Sequence, residues 1–86
     1  IVRNKLDKLD NKLIKIIKQR TKLVNNVLTL KEKKNQILDK SRIKKILNNV
    51  KNKSIKNNID TKVTKRIWIN MIYAFIDYEK RNFRKK

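Results

Sequence analysis

Apolar residues recur along the first third of the chain at alternating steps of four and three residues. The positions are Val2, Leu6, Leu9, Leu13, Ile16, Leu23, Val27 and Leu30. This spacing is a heptad pattern, which keeps one face of an α-helix apolar along its whole length. It predicts a helix from Val2 to about Lys34, which would be ~45–50 Å long. Because a compact domain of this size has a radius of gyration of only ~12 Å, we expect the helix to project beyond its own subunit and to form a homodimer.

The periodicity is lost between Glu32 and Leu38, which predicts a connection. We expect Asn35 to take the left-handed conformation that often ends a helix. Asp39 is the predicted N-cap of a second helix. The apolar positions of that helix are Ile43, Ile46, Leu47 and Val50, with Ser54 at the same spacing.

A polar run from Lys56 to Asn58 ends the second helix, and Asp60 is the predicted N-cap of a third. The third helix is expected from about Thr61 to Phe83. Its apolar stripe is Trp68, Ile72, Phe75, Ile76 and Phe83, with Val63, Ile67, Met71 and Tyr78 on a second flank. This element should be the most buried one. The sequence therefore predicts an all-α fold in one domain, residues 1–86, with three helices and a long first helix.

The composition restricts the chemistry that the chain can perform. It has no Cys and no His, which removes disulfides, thiol nucleophiles, imidazole bases and the usual zinc or haem ligands. We therefore expect no metal and no cofactor. There is no apolar run of about 18 residues and no leader pattern, so we expect a cytoplasmic protein without a membrane span.

The net charge of +19, from 26 basic and 7 acidic residues, first suggests a nucleic-acid or membrane-surface binder. Two features argue against nucleic acid. More than half of the chain is Lys, Asn or Ile, a bias that AT-rich codons produce. The lysines also fall on all sides of the predicted helices, without the interleaved aromatic residues on which single-stranded bases would stack.

Two cations and one carboxylate interrupt the apolar faces. Arg20 stands where the first helix should place an apolar residue, and Lys31 lies within about 20° of it on a continuing helix. Glu79 interrupts the stripe of the third helix between Phe75 and Phe83. Long basic stems can reach water from the edge of a core, and Glu79 could form a structural ion pair with either cation. The alternative is an anion-binding site that all three residues line.

Arg3 cannot belong to the same site of the same subunit, because it lies ~25 Å from Arg20 along the helix axis and points about 100° away. In a dimer of long helices it could serve the site of the partner subunit.

Together these residues resemble the all-helical class of chorismate mutases. The class has an Arg near its start, a segment LDxLDxxLIxLIxxR, a Lys eleven residues further and DxxR opening the second helix. Here these features are Arg3, LDKLDNKLIKIIKQR ending at Arg20, Lys31, and DKSR from Asp39 to Arg42. The Gln or Glu on the last helix of the class falls at Glu79. The resemblance covers essentially the whole chain.

The resemblance implies an intertwined homodimer of three-helix subunits with two sites shared between the chains. The substrate would be chorismate, a dianion, which rearranges to prephenate on the route to Phe and Tyr. Lys31 and Glu79 would be the catalytic residues. The implied substrate-binding residues are Arg3 from one chain and Arg20, Asp39 and Arg42 from the other.

Two residues depart from the pattern of the class. Ile43 replaces a Glu that normally helps hold the ring hydroxyl of the substrate, and Phe75 replaces a small Ser-like residue. Weakened or altered activity is therefore an alternative, as is an isochorismate pyruvate lyase of the same fold. A basic helical dimer that binds nucleic acid, and a structural or regulatory dimer without chemistry, are further alternatives.

Overall fold

The computed structural model describes residues 1–84, which form three α-helices and one short 3₁₀ turn. Helix α1 spans Val2–Leu30, α2 spans Lys40–Lys56, α3 spans Thr61–Asn82, and the 3₁₀ turn is Lys34–Gln36. No residue between 1 and 84 lies in a β-strand. The predicted all-α, three-helix fold with a long first helix is confirmed. None of the helices in residues 1–84 has both the length and the apolar character needed to cross a membrane.

Helix α1 ends at Leu30, so its predicted extension to about Lys34 is wrong. The side chain of Gln36 explains the early end. Its Oε1 accepts hydrogen bonds from the backbone N–H groups of Glu32 and Lys33 at 2.7 and 2.8 Å. A continuing helix would direct these N–H groups at carbonyls four residues earlier, so the side chain competes with the helix.

The predicted left-handed conformation of Asn35 is also wrong, because Asn35 lies inside the 3₁₀ turn. Asn58 is the non-glycine residue that takes a positive φ, at 58°, within residues 1–84. It ends α2 in a Schellman motif. The N–H of Ile59 donates to the carbonyl of Ser54 at 2.8 Å, and that of Asn58 donates to Ile55 at 3.2 Å.

Both predicted N-caps are present. The carboxylate of Asp39 accepts from the N–H of Arg42 at 3.0 Å, and that of Asp60 accepts from the N–H of Lys62 at 2.8 Å. Each bond satisfies a backbone donor that the first turn of a helix leaves unpaired. Helices α2 and α3 therefore begin directly after these two residues, as predicted.

Helices α2 and α3 pack against each other in the part of the chain that begins at Lys31. The buried residues of α3 follow one another at steps of eight, four and three along a single face. They are Thr64, Ile72, Ile76 and Glu79. Trp68, Phe75 and Phe83 of the predicted stripe are half-buried, whereas Val63 and Ile67 of the second flank are exposed. The core face of α3 is thus the predicted stripe, and the second flank is only partly covered.

Helix α1 forms a compact unit of its own, Ile1–Leu30. Its apolar seam is exposed within the single chain, from 49% at Val27 to 78% at Leu30. The buried residue of α1 is Leu28, and Arg20, Thr21 and Val24 are half-buried. Thr21, Val24 and Leu28 lie on a neighbouring face of the helix, whereas Arg20 occupies a position of the heptad seam.

Candidate active site

Lys31 and Glu79 meet in the structure although 48 residues separate them in the chain. The Nζ of Lys31 donates a hydrogen bond to Oε2 of Glu79 at 2.7 Å. This length is that of a charge-assisted bond between an ammonium and a carboxylate. The contact fits a structural ion pair as well as two members of one ligand site, the two interpretations that the sequence left open.

The pair is largely withdrawn from water. The side chain of Lys31 is 19% exposed and that of Glu79 is 10% exposed. A second ion pair on α3, between Asp77 and Arg81 at 3.0 Å, has side chains 69% and 65% exposed. Burial strengthens the attraction between the Lys31 and Glu79 charges and makes each costly to leave alone.

The local sequence explains why the carboxylate of Glu79 is buried. Glu79 follows Ile72 and Ile76 on the buried face of α3, so the packing of that face carries the carboxyl group inward. Lys31 is the first residue after α1 ends, and its long stem can cover apolar surface while its ammonium reaches Glu79.

Two aromatic rings border this part of α3. Phe75 lies one turn before Glu79 and contacts Tyr78 edge-to-face, with ring centroids 6.4 Å apart and planes at 80°. Both rings are half-buried. Sequence reasoning treated Phe75 and Tyr78 as members of separate flanks. Their spacing of three residues, which brings helical side chains together, was the signal for this contact.

Arg42 and Asp39 lie at the start of α2. Both are exposed, and the carboxylate of Asp39 binds the backbone N–H of Arg42. The observed contact of Asp39 is therefore the helix cap, which fixes the first turn from which the Arg42 side chain extends. Ile43, the next residue, is half-buried.

Arg3 and Arg20 lie on α1. Arg3 is exposed in the first turn and Arg20 is half-buried, 17 residues further along the helix. This spacing corresponds to ~25 Å along the axis, as the sequence indicated. Among residues 1–84, no three acidic, His or Cys side chains are grouped closely enough to hold a metal ion.

The arrangement can hold an anion. Within the unit that begins at Lys31, it offers a half-buried ammonium, a carboxyl group that can accept or, when protonated, donate a hydrogen bond, and an arginine at the start of α2. None of these groups is a strong nucleophile. The site is therefore suited to a reaction that needs binding and charge stabilisation more than covalent catalysis.

Comparison with known proteins gives one match at the level of families. Residues 2–80 match the family model described as chorismate mutase type II. Searches of curated proteins and of solved structures give no match. The matched segment contains α1, α2 and nearly all of α3, and includes Lys31 and Glu79.

Proposed function

Because the chain belongs to the chorismate mutase type II family, we propose that it catalyses the rearrangement of chorismate to prephenate in the cytoplasm, within the biosynthesis of Phe and Tyr. The observation that carries this proposal is the pair of Lys31 and Glu79, 2.7 Å apart and largely withdrawn from water. Lys31 is a donor that such a reaction needs, and the carboxyl group of Glu79 can be a second donor when it is protonated.

The reaction is an intramolecular one. The ether C–O bond of chorismate breaks as a new C–C bond forms, so no atom or electron is exchanged with the protein. The enzyme must therefore hold the enolpyruvyl side chain over the ring and stabilise negative charge that grows on the ether oxygen. Neither task requires a nucleophile or a cofactor.

We assign the charge stabilisation to Lys31 and Glu79. In the free site the Lys31 ammonium is bound to the carboxylate of Glu79. Substrate entry would place the ether oxygen between the two groups, with Lys31 and a protonated Glu79 both donating to it. Donors that are fixed in a water-excluded site stabilise a developing charge far better than donors in water.

We assign the binding of the two substrate carboxylates to arginines. Arg20 and Arg42 would act from one chain, and Arg3 of the partner subunit would complete the site. Arginine suits this role because its planar guanidinium can bind a carboxylate through two parallel hydrogen bonds. Asp39 would contribute indirectly, since it fixes the turn that carries Arg42.

The shared site requires an intertwined homodimer, in which the two units of each chain act as one domain. The exposed seam of α1 supports it, because Leu9, Leu13 and Leu23 remain 58, 54 and 64% exposed in the single chain. Burying apolar surface is worth ~25 cal/mol per Å², and a second copy of the same helix offers a matching seam. A seam in the heptad pattern is typical of this type of pairing.

Two residues are expected to lower the efficiency. Ile43 offers no carboxylate to the ring hydroxyl of the substrate, and Phe75 places a large ring one turn from Glu79. We expect a kcat/KM below that of a site with Glu and a small residue at these positions.

The test is to follow the loss of chorismate and the formation of prephenate with purified protein. Isochorismate is assayed in parallel, because a lyase of the same fold would release pyruvate from it. Turnover of chorismate that Lys31→Ala abolishes supports the proposal. No turnover of chorismate, combined with binding to duplex or single-stranded DNA that weakens steeply with salt, would instead favour a nucleic-acid binder.

A further inference from the structure

A groove between α2 and α3 lies outside the candidate active site. Its volume is about 470 Å³, within the range of ~300–1,000 Å³ that small-molecule sites occupy. Leu47 and Val50 of α2 supply its apolar lining, and both are half-buried. Thr64, which lines the groove, lies fifteen residues before Glu79 on α3. This separation corresponds to ~22 Å along the helix axis.

Short side chains line the α3 wall of the groove. Thr61 and Thr64 of α3 are too small to fill the space beside Leu47. The two helices are nevertheless tied together, since the hydroxyls of Ser54 and Thr64 are 2.7 Å apart and buried. Each hydroxyl also lies near a carbonyl of its own helix, Ser54 at 2.7 Å from that of Val50 and Thr64 at 3.4 Å from that of Thr61.

Four lysines from the two helices surround this apolar lining. They are Lys44, Lys51, Lys62 and Lys65. No acidic residue is among the residues that line the groove. The nearest carboxylate along the chain, Asp60, accepts the backbone N–H of Lys62 as a helix cap. The groove thus combines an apolar interior with a rim of positive charge that its own lining does not neutralise.

We propose that this groove binds a small organic anion with a flat apolar body. The body would pack on Leu47 and Val50, and the acidic group would interact with the lysine ammonium groups at the rim. An inorganic anion would gain nothing from the apolar lining, and a neutral ring would gain nothing from the lysines. The proposal does not depend on the function proposed for the Lys31 and Glu79 site.

The experiment uses 1-anilinonaphthalene-8-sulfonate as the probe, added to the ¹⁵N-labelled protein of residues 1–86. Inorganic sulfate and the neutral N-phenyl-1-naphthylamine are titrated separately, to isolate the charge and the ring. We expect saturable amide shifts within residues 47–51 and 61–65. Binding of either control compound should be at least about tenfold weaker, because each lacks half of the interaction.

Variants with matched charge test the lysines. Lys44→Gln/Lys51→Gln removes two charges from the groove, and Lys45→Gln/Lys53→Gln removes two from exposed positions of the same helix outside it. Both lower the net charge equally, so the long-range field is matched. We expect the first pair to weaken the probe by about threefold or more and the second to leave it nearly unchanged, since lysine–anion contacts at a surface are individually modest.

Several results would overturn the proposal. One is equal weakening by both pairs of substitutions, which would indicate attraction to the overall charge. Another is a set of shifts confined to α1 or to the surroundings of Lys31 and Glu79. Sulfate binding as tightly as the probe would show a charge patch without an apolar contribution. Far-UV circular dichroism of each variant verifies that the helices are retained.

Discussion

Substitution of Glu79 by Gln separates the catalytic role of this residue from its structural one. The amide has nearly the size of the carboxyl group, keeps an oxygen that can accept from Lys31, and adds N–H donors. If Glu79 donates to the ether oxygen of the substrate, it must be protonated to do so. Gln donates from its amide without a protonation step, so Glu79→Gln should preserve or increase kcat/KM near pH 7.

The same substitution should lower the free energy of unfolding, because it weakens the largely buried ion pair with Lys31. Removing one partner of a buried ion pair costs ~3–5 kcal/mol. Gln retains a hydrogen bond to Lys31, so the loss is the difference between a charge-assisted and a weaker bond, about 1–2 kcal/mol. In a domain of this size, 1 kcal/mol lowers Tm by about 4–8 °C. Thermal unfolding is measured at one protein concentration, because a dimer would make Tm depend on it.

Asp77→Asn is the matched control. It makes the same change from carboxylate to amide on the same helix and removes one ion pair, that with Arg81, whose side chains are 69 and 65% exposed. An exposed pair at this spacing contributes only ~0.3–0.5 kcal/mol. We expect little change in Tm and none in kcat/KM. A kcat/KM of Glu79→Gln far below that of the wild type, measured on folded protein, would refute the role of Glu79 as the donor.

Three further predictions concern the site and the core. Lys31→Ala and Arg20→Ala should each lower kcat/KM at least about a hundredfold while circular dichroism shows the helices retained; near-normal kinetics in either variant would place the site elsewhere. Mixing inactive Arg3→Ala and Lys31→Ala proteins should restore activity by forming some sites that carry neither substitution, and no recovery after verified subunit exchange would exclude shared sites. Ser54→Ala should lower the free energy of unfolding by about 1–3 kcal/mol, because it removes the buried hydroxyl that lies 2.7 Å from that of Thr64. Ser41→Ala, at an exposed position of the same helix, should have little effect. Both are measured by urea denaturation.

Local signals predicted the fold best. Asp39 and Asp60 were identified as N-caps because an Asp side chain bonds backbone N–H groups only a few residues away, and both bonds are present. The end of α2 was placed correctly at the polar run from Lys56 to Asn58, because the helix ends at Lys56 and Asn58 takes a positive φ. The end of α1 was not, because the side chain of Gln36 folds back onto Glu32 and Lys33. No periodicity in the sequence indicates that this amide will replace two helical hydrogen bonds.

Burial on α1 was predicted less well than burial on α3. The heptad pattern singled out residues such as Leu23 and Val27, yet Leu28 is the buried residue of the helix and Val24 is half-buried. A heptad pattern reports which face is apolar, whereas α1 has apolar residues on two neighbouring faces. The exposed seam is the face that the proposed dimer would bury. The face with Val24 and Leu28 is already covered within the single chain.

Lys31 was predicted as a site residue partly from its angle on α1, and that part of the argument is wrong. The angle of 20° between Lys31 and Arg20 assumed a continuous helix, but α1 ends at Leu30. Lys31 nevertheless lies 2.7 Å from Glu79, the residue that interrupted the apolar stripe of α3. The useful signal was the presence of a charged residue at a position where the pattern required an apolar one. Burying a single charge is costly, so two such interruptions of opposite sign are favoured to meet, whatever the local path of the backbone. The same signal, a charge at a position where the pattern required an apolar residue, selected Arg20, which is half-buried on α1.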